Sequence, residues 1–268
     1  MKIGAWNFDT DHNVYIMGIL NVTPDSFSDG GKYKDLDQAL IQAEQMIEDG
    51  AAIIDIGGES TRPNHVKISD SEEIERVCPV IEAIKKRMEI PVSLDTYKAE
   101  VAKAGIVCGA DMINDIWGLK WDGQMAEVAA KEQVAVCLMH NRKESIYDSL
   151  VDDVLADLRE SIQLAKSAGI CENQICIDPG IGFAKDVNQN LTLMHHLNRL
   201  TELGYPILLG TSRKSMIGLT LDLPIEEREE GTIATTVYGM MQGCSIIRVH
   251  DVRANVRAMK MTLAMMRA

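Results

Sequence analysis

The feature that most constrains the fold is a regular alternation of short apolar runs and longer amphipathic segments along the chain. The apolar runs are rich in Val, Ile and Leu, which is typical of parallel strands that are covered on both faces. The amphipathic segments repeat apolar residues at spacings of three and four, as in Leu36, Leu40 and Ala43, which predicts helices. The predicted strands are residues 14–21, 52–57, 91–95, 111–115, 134–140, 174–178, 206–210 and 245–250. The predicted helices are residues 36–48, 72–88, 98–107, 124–132, 150–168, 190–203, 227–242 and 253–266.

Eight strand–helix units within 268 residues predict an α/β protein with a closed (β/α)8 barrel, a TIM barrel. A doubly wound open sheet is the alternative, because periodicity does not distinguish a closed sheet from an open one. Residues 3–8 precede the first barrel strand and are predicted to form a short strand or hairpin at the bottom of the barrel. Because no Pro-rich or Gly-rich linker interrupts the pattern, we expect a single domain over residues 1–268.

The composition excludes several classes of partner. The chain has 27 Lys and Arg against 40 Asp and Glu, a net charge of −13, so it has no general attraction for nucleic acids or anionic membranes. An anionic small molecule would have to be held by a few local cations. No apolar run approaches the roughly 18–20 residues of a membrane helix, and the first residues lack a secretory signal, so we expect a cytoplasmic protein. The six cysteines contain no C-x-x-C pair and are expected to be reduced thiols.

A residue that can hydrogen-bond or carry a charge stands at the end of every predicted strand. These residues are Asn21, Glu59, Asp95, Asn114 with Asp115, His140, Asp178, Ser212 with Lys214, and Arg248 with His250. One such residue is more often a helix cap or a turn former. In a parallel barrel, however, all strand ends open on one face, where active sites are built, so eight together predict a polar pocket.

Seven sequence motifs occupy these strand ends in order. They are residues 21–31 (NVTPDSFSDGG), 57–63 (GGESTRP), 93–96 (SLDT), 113–116 (INDI), 178–183 (DPGIGF), 212–215 (SRKS) and 248–252 (RVHDV). Together they resemble the dihydropteroate synthases, a family of pterin-binding (β/α)8 barrels, from about residue 14 to residue 252. The resemblance implies a transferase of folate biosynthesis and a target of sulfonamides. It would condense 6-hydroxymethyl-7,8-dihydropterin diphosphate with 4-aminobenzoate to give 7,8-dihydropteroate and diphosphate.

The resemblance also implies how the site is divided, with Mg²⁺ as the cofactor. The pterin would be bound by Asp95, Asn114, Asp178, Phe183 and Lys214. The diphosphate would be bound by Asn21, Thr61, Arg62, Arg248 and His250, with Asn21 also a ligand of the metal. The 4-aminobenzoate would contact Phe27, Thr61, Arg62, Pro63, Ser212 and Lys214. The implied catalytic residues are Asp95, Lys214, Arg248 and His250. No activated nucleophile is needed, because the arylamine attacks as the neutral base.

Two segments depart from the family pattern. Ala184 stands where relatives often have Gly, a mild change unless its φ is positive, and residues 139–144 lack the usual ending of the loop after the fifth strand. Three other functions are alternatives: a folate-dependent methyltransferase on the same barrel, a pterin-binding module without turnover, and a plain barrel scaffold. The methyltransferase has no use for a diphosphate clamp or an aminobenzoate loop, so the Phe27 loop and the segments 61–63 and 212–214 argue against it. A scaffold leaves the polar strand ends unexplained.

The last predicted helix is apolar around much of its circumference. One stripe contains Val252, Val256, Met259, Leu263 and Met266, and another contains Ala258, Met261, Ala264 and Met265. A barrel helix needs one apolar face, and an exposed apolar patch usually marks an interface. Since relatives in the family often pair through their last barrel helices, we predict a homodimer that buries Met261 and Met265.

Overall fold

The computed structural model describes residues 1–23, 31–59 and 67–268, with the backbone alone at residues 31–34. The chain begins with an antiparallel hairpin of two short strands, β1 (Lys2–Ile3) and β2 (Trp6–Asn7). Gly4 makes the turn possible because its φ of +55° lies in the left-handed region that favours glycine. The predicted N-terminal strand or hairpin is therefore confirmed.

Eight parallel strands follow and form a closed barrel. They are β3 (Tyr15–Asn21), β4 (Ile53–Gly57), β5 (Val92–Asp95), β6 (Met112–Asp115), β7 (Ala135–Met139), β8 (Ile175–Asp178), β9 (Leu208–Leu209) and β10 (Ile246–Val249). Strands β3 to β8 pair in chain order, and β10 lies between β3 and β9. A parallel bridge between Ile177 and Ile207 joins β8 to the segment before β9 and completes the ring. The predicted TIM barrel is confirmed, and the open sheet is excluded.

Helices cover the outside of the barrel. In the described residues they are α1 (Gly31–Glu48), α2 (Asp70–Arg87), α3 (Ala99–Val107), α4 (Met125–Glu132), α5 (Leu150–Ala168), α6 (Val187–His195), α7 (Ser215–Leu221), α8 (Glu229–Met241) and α9 (Val252–Met266). Their apolar faces pack on the strands in one continuous core, which includes the fully buried Ile54, Leu94 and Val136. Each strand is thus covered on its outer face by a helix, as its unbroken apolar sequence predicts.

One predicted helix is wrong in detail, and one short helix was not predicted. The predicted helix 190–203 is an α-helix only as far as His195, and Leu197–Leu203 forms a 3-10 helix. The α6 helix begins earlier than predicted because the Asp186 and Gln189 side chains form a capping box at its start. The short helix α7 after β9 was not predicted, since its seven residues are too few to display a helical period.

A second, smaller core fills the bottom of the barrel, at the beginnings of the strands. Ile3 and Phe8 of the N-terminal segment pack there against inward-facing residues such as Met17, Ile53 and Ile246. The hairpin therefore closes the barrel from below, and the polar residues at the strand ends lie at the opposite end.

Among the helices of the described residues, none is long and apolar enough to cross a membrane. All six cysteines are free thiols, and Cys137 and Cys176 lie side by side on β7 and β8 inside the barrel.

Candidate active site

The inside of the barrel changes from apolar to polar along each strand. Alternate residues of a strand face the same side. On β4 the inward residue Ile53 belongs to the bottom core, and the next one on that face is the fully buried Asp55. On β10 the same step leads from Ile246 to Arg248. The upper half of the barrel is therefore lined by charged groups, as the strand-end residues predict.

Arg248 lies at the centre of these groups and holds two carboxylates at once. Its Nε donates to Asp55 Oδ2 at 2.6 Å, and its Nη2 donates to Asp95 Oδ2 at 2.7 Å. Asn114 Nδ2 donates to the same Asp55 oxygen at 3.3 Å. Asp55 was not predicted as a site residue because it does not end a strand. The available signal was an acid inside an apolar run, two residues from Gly57 and so on the same inward face.

Among the described residues, one oxygen of each of these two carboxylates has no hydrogen-bond partner. Asp55 Oδ1 and Asp95 Oδ1 are buried and accept no hydrogen bond from the described residues. Burial raises the pKa of Asp95 to about 7, although the Arg248 guanidinium opposes the shift. The carboxylates in turn raise the pKa of Arg248, so this residue stays cationic. Buried acceptors without partners are costly, which indicates that a ligand with matching donors completes the site.

Asp178 and Lys214 face the same site from β8 and from the loop after β9. The backbone amide of Gly180 donates to Asp178 Oδ1 at 2.7 Å. Burial raises the pKa of Asp178, and the Lys214 charge opposes this shift. Burial lowers the pKa of Lys214 to about 8. The Lys214 ammonium donates to the Ile181 carbonyl and lies 4.4 Å from the centre of the Phe183 ring, over its face.

An apolar wall stands beside the charged groups. It contains the buried Tyr97, Ile116 and Met139, with Trp117 and Phe183 packed against them. A flat aromatic ring could pack on this wall while its polar edge meets carboxylates and amides, which is the usual division of a small-molecule site. Ile116 and Met139 were not predicted as site residues, because apolar residues at strand ends are indistinguishable from core in the sequence.

Ser212 and His250 form one hydrogen-bonded unit. Ser212 Oγ lies 2.9 Å from His250 Nδ1 and accepts the His250 backbone amide at 3.1 Å. The next residues along each segment also pair, since Arg213 Nε donates to Asp251 Oδ2 at 3.0 Å. The ends of β9 and β10 are therefore joined, and a group bound by Ser212 lies close to one bound by His250.

Asn21 ends β3, next to Gly57 of β4. A Cβ at Gly57 would lie 3.6 Å from Asn21 Oδ1 and 3.9 Å from Asp95 Oδ2, so both oxygens border the space above this glycine. In residues 1–23, 31–59 and 67–268, no three His, Cys, Asp or Glu side chains gather to hold a metal. An amide oxygen beside a carboxylate still fits Mg²⁺, which usually keeps several waters and takes one or two protein oxygens plus substrate phosphates.

Four predicted site residues lie outside the described residues: Phe27, Thr61, Arg62 and Pro63. Of the others, Asp95, Asn114, Asp178, Lys214 and Arg248 belong to the buried charged site with its neighbour Phe183, and Asn21, Ser212 and His250 lie at the ends of β3, β9 and β10.

Three polar strand-end residues serve other contacts. Asp115 accepts the backbone amides of Trp117 and Leu119 at 2.8 and 2.7 Å, so it shapes a turn. Glu59 accepts a hydrogen bond from the Tyr97 hydroxyl at 2.9 Å. The third residue, His140, is hydrogen-bonded to Lys185 and Asp157. A strand-end position therefore predicts the face of the barrel but not the direction of the side chain.

Ala184 has a φ of +45°, in the left-handed region. An alanine there is strained because its Cβ crowds the backbone. The substitution relative to the family pattern is therefore not mild, and the Tyr147 hydroxyl, which donates to the Ala184 carbonyl at 2.9 Å, holds the loop at this point.

The sequence profile of the family described as pterin binding enzyme matches residues 17–250. The chain is 59% identical over 263 residues to the dihydropteroate synthase of Clostridium beijerinckii, with 98% of each chain covered. This chain belongs to the pterin-binding enzyme family, among the dihydropteroate synthases. The match to the synthases leaves no support for a folate-dependent methyltransferase.

Solved structures of dihydropteroate synthases have the same fold. The Clostridium difficile enzyme, determined in the presence of pteroic acid, has a TM-score of 0.95 at 50% identity and covers 98% of this chain and 100% of its own. The Yersinia pestis enzyme, determined with a sulfonamide drug, has a TM-score of 0.93 at 43% identity and covers 100% of this chain and 99% of its own.

Proposed function

We propose that this dihydropteroate synthase family member joins 6-hydroxymethyl-7,8-dihydropterin diphosphate to 4-aminobenzoate by Mg²⁺-assisted loss of diphosphate. The C–O bond to the diphosphate breaks, and the leaving group keeps the electron pair. The amine nitrogen of 4-aminobenzoate then forms the C–N bond and loses a proton. The observation that carries this proposal is the group of buried carboxylates around Arg248, whose free oxygens match the donors on the edge of a pterin ring.

Pterin recognition is assigned to the bottom of the site. A pterin presents an amino group and ring N–H groups along one edge, and Asp178 is suited to accept paired hydrogen bonds from them. Asn114 and Asp95 would meet other edge atoms, and the ring would pack against Phe183 and Lys214. The apolar wall supports this orientation, since Phe183 belongs to it and Lys214 lies over the Phe183 ring. Each missing partner in such a buried site costs about 1–3 kcal/mol, which gives strong discrimination.

Arg248 and His250 are assigned to the leaving diphosphate, with Asn21 beside them. Bound Mg²⁺ would supply charge neutralisation of the phosphates, and Asn21 would hold it. Asp95 would stabilise the positive charge that develops on the exocyclic carbon of the pterin as diphosphate departs. The protein's own contribution is thus a fixed set of charges around a carbon that becomes cationic.

The 4-aminobenzoate is assigned to the rim formed by the loop after β9. Ser212 would bind its carboxylate, and the methylene stem of Lys214 would flank its ring. The pairing of Ser212 with His250 supports a position for this substrate next to the diphosphate. Sulfonamides, which mimic the aminobenzoate, are expected to compete for this position.

We also propose a single-domain homodimer located in the cytoplasm. The free state of all six cysteines supports a reducing compartment. The exposure of Met261 and Met265, both 59%, supports an interface on α9. Two identical surfaces of this kind would meet about a twofold axis.

Turnover with the two substrates and Mg²⁺ tests the proposed function directly. Diphosphate release that depends on 4-aminobenzoate is the expected result, and tight pterin binding without release would indicate a binding module instead.

Asp178→Asn should weaken binding of 6-hydroxymethylpterin by about a hundredfold while the fold stays intact, because two hydrogen bonds to a charged acceptor are lost. Wild-type affinity in this variant would remove Asp178 from the pterin site.

A further inference from the structure

A buried hydrogen-bonded chain lies behind the loop that follows β8, and the chemistry above does not use it. Lys185 Nζ lies 2.9 Å from His140 Nδ1, and His140 Nε2 lies 3.1 Å from Asp157 Oδ2. The His140 side chain is completely buried. Arg142 Nε donates to the same Asp157 oxygen at 2.7 Å and anchors the outer end of the chain.

The hydrogen-bond donors of this Lys185–His140–Asp157 network have only one consistent arrangement. A lysine ammonium can only donate, so His140 Nδ1 must accept from it. The proton of the neutral imidazole then resides on Nε2, which donates to the Asp157 carboxylate. Burial lowers the pKa of His140 to about 4, so the ring is neutral at physiological pH. The hydrogen bonds to His140 and Arg142 hold the pKa of Asp157 well below its usual value, so this group is ionised.

Lys185 uses all three of its N–H groups. Besides His140, it donates to the carbonyls of Gly180 and Phe183, both at 3.0 Å. Three acceptors around one ammonium match the charged form of lysine, which has three donors. The two carbonyls belong to the DPGIGF motif, so Lys185 ties the middle and the last residue of this loop to the buried His140.

Gly180, which Lys185 contacts, is itself hydrogen-bonded to Asp178. The Gly180 amide donates to Asp178 Oδ1 at 2.7 Å and so orients the carboxylate. Gly180 has a φ of +69° and packs so closely on the His140 carbonyl that a Cβ could not be added. Gly180, whose amide orients Asp178, is therefore held by its packing on the His140 carbonyl and by the Lys185 ammonium at its own carbonyl.

The charge of Lys185 also acts on Asp178 through space. It opposes the burial that raises the pKa of Asp178 and so favours the ionised carboxylate. Burial lowers the pKa of Lys185 itself to about 7. The charged groups that face it are Asp178 and Asp157, which raise its pKa, and Lys214 and Arg142, which lower it.

We propose that Lys185 is a positioning residue for pterin recognition: it holds the loop 178–183 so that Asp178 and Phe183 are set for the pterin ring. Lys185 does not touch the substrate and acts through Gly180 and Phe183. The proposal rests on the proposed function, since it takes Asp178 as the carboxylate that binds the pterin. It predicts an effect on one substrate only, because the 4-aminobenzoate is assigned to the loop after β9.

The first test is Lys185→Met, which keeps the aliphatic stem and removes the donors and the charge. We expect the KM for the pterin diphosphate and the Kd for 6-hydroxymethylpterin to rise about 10- to 30-fold, as the loss of one to two hydrogen bonds to a buried group implies. The KM for 4-aminobenzoate should stay within twofold. The matched control is Lys143→Met, which removes an exposed lysine from the neighbouring loop and should change neither value.

The second test is the pH dependence of 6-hydroxymethylpterin binding. Lys185 loses its charge as the pH rises through about 7, so wild-type affinity should fall between pH 6 and pH 8. In Lys185→Met this component should be absent. Asp95, with a pKa of about 7, Lys214, with a pKa of about 8, and the pterin itself titrate in both proteins, so the difference between the two profiles belongs to Lys185 and to Asp178, the carboxylate on which its charge acts.

A second variant tests the same proposal if Lys185→Met does not fold. Asp157 is only partly buried, and Asp157→Asn loosens the same chain from its outer end. We expect about a threefold rise in the pterin KM with little change for 4-aminobenzoate. Equal changes for both substrates, or wild-type pterin affinity and an unchanged pH profile in these variants, would overturn the proposal. Failure of the proposed function would appear differently, as a wild-type protein that binds no pterin.

Discussion

At the scale of residues, the site is built from charges that are buried before any ligand is present. Arg248 is shared by Asp55 and Asp95, so two carboxylates depend on one cation. Removing charged groups from water is costly, and this cost is offset only when every partner is in place. The site is therefore sensitive to the loss of any one of these groups, in stability as well as in activity.

Asp55→Asn is expected to lower the free energy of unfolding by about 3 kcal/mol, because it leaves a buried guanidinium with one partner instead of two. The pterin KM should rise about tenfold, since a neutral amide with one acceptor oxygen orients Arg248 and Asn114 less firmly than the carboxylate does. Urea unfolding and steady-state kinetics measure the two effects.

The matched control is Asp49→Asn, which breaks the pair between Asp49 and the 59% exposed Arg253 at 2.7 Å. An exposed pair is worth about 0–1 kcal/mol. If Asp55→Asn were no more destabilising than this control, the buried network would not carry the energy assigned to it.

Titration of Asp95 is expected to make the free energy of unfolding depend on pH. Its pKa is raised from 3.8 to about 7 in the folded protein, so the folded state binds more protons than the unfolded state between these values. Its contribution to stability is present below about pH 4 and is lost as the pH rises to about 7. The full loss is about 4 kcal/mol at most, from 1.36 kcal/mol for each pH unit.

Asp95→Asn cannot ionise and should escape this loss. In urea unfolding, the free energy of unfolding of the variant relative to that of wild type should increase as the pH rises from 5 to 8. Parallel stability profiles for the two proteins would show that Asp95 does not titrate in this range.

At the scale of elements, the loop between β8 and α6 combines order with strain. Asn190 of α6 accepts the Gly182 amide at 2.7 Å and donates to the Lys185 carbonyl at 3.1 Å. The capping box fixes the first turn of the helix at the same place. Ala184 lies between these fixed points with a positive φ, so the loop retains a conformation that suits glycine.

Ala184→Gly is expected to raise the free energy of unfolding by about 0.5–1 kcal/mol, because glycine adopts a positive φ without steric cost. Ala156→Gly, at an exposed position within α5, is the matched control and should lower it by about 1 kcal/mol. Thermal unfolding of both variants measures the difference. A loss of stability in Ala184→Gly would contradict the strain inferred from φ.

At the scale of the whole molecule, the barrel has one closed end and one open end. The hairpin and the apolar inward residues seal the bottom, and the charged residues gather at the top. On the outer surface, α8 and α9 are neighbours that carry the exposed Met241, Met261 and Met265. Apolar side chains grouped in this way are a surface suited to a second copy of the chain.

The dimer proposal predicts that wild type has a dimeric mass by light scattering at micromolar concentration. Met261→Glu combined with Met265→Glu should give a monomer, because two charges on each subunit would be buried in the interface. Ile41→Glu, at a 65% exposed residue of α1, is the control and should leave the mass unchanged. A monomeric wild type, or a dimer that survives the double substitution, would contradict the proposal.

The sequence by itself determined the strands, most of the helices and the end of the barrel that carries the site. These features depend on local periodicity, and on the rule that parallel strands finish on one face. The motifs at the strand ends also predicted that Asp95, Asn114, Asp178 and Arg248 belong to one site. Helix α7 was missed because a segment of seven residues is too short to display a period.

Only the tertiary structure decided which polar side chains meet. The barrel is closed by a parallel bridge between Ile177 and Ile207, and Arg248 donates a hydrogen bond to Asp55. Both contacts join segments that are far apart in the chain. His140 ends its strand as the pocket residues do, yet its ring turns to Lys185 and Asp157. Side-chain direction depends on the packing of neighbouring elements, and a one-dimensional pattern does not contain that information.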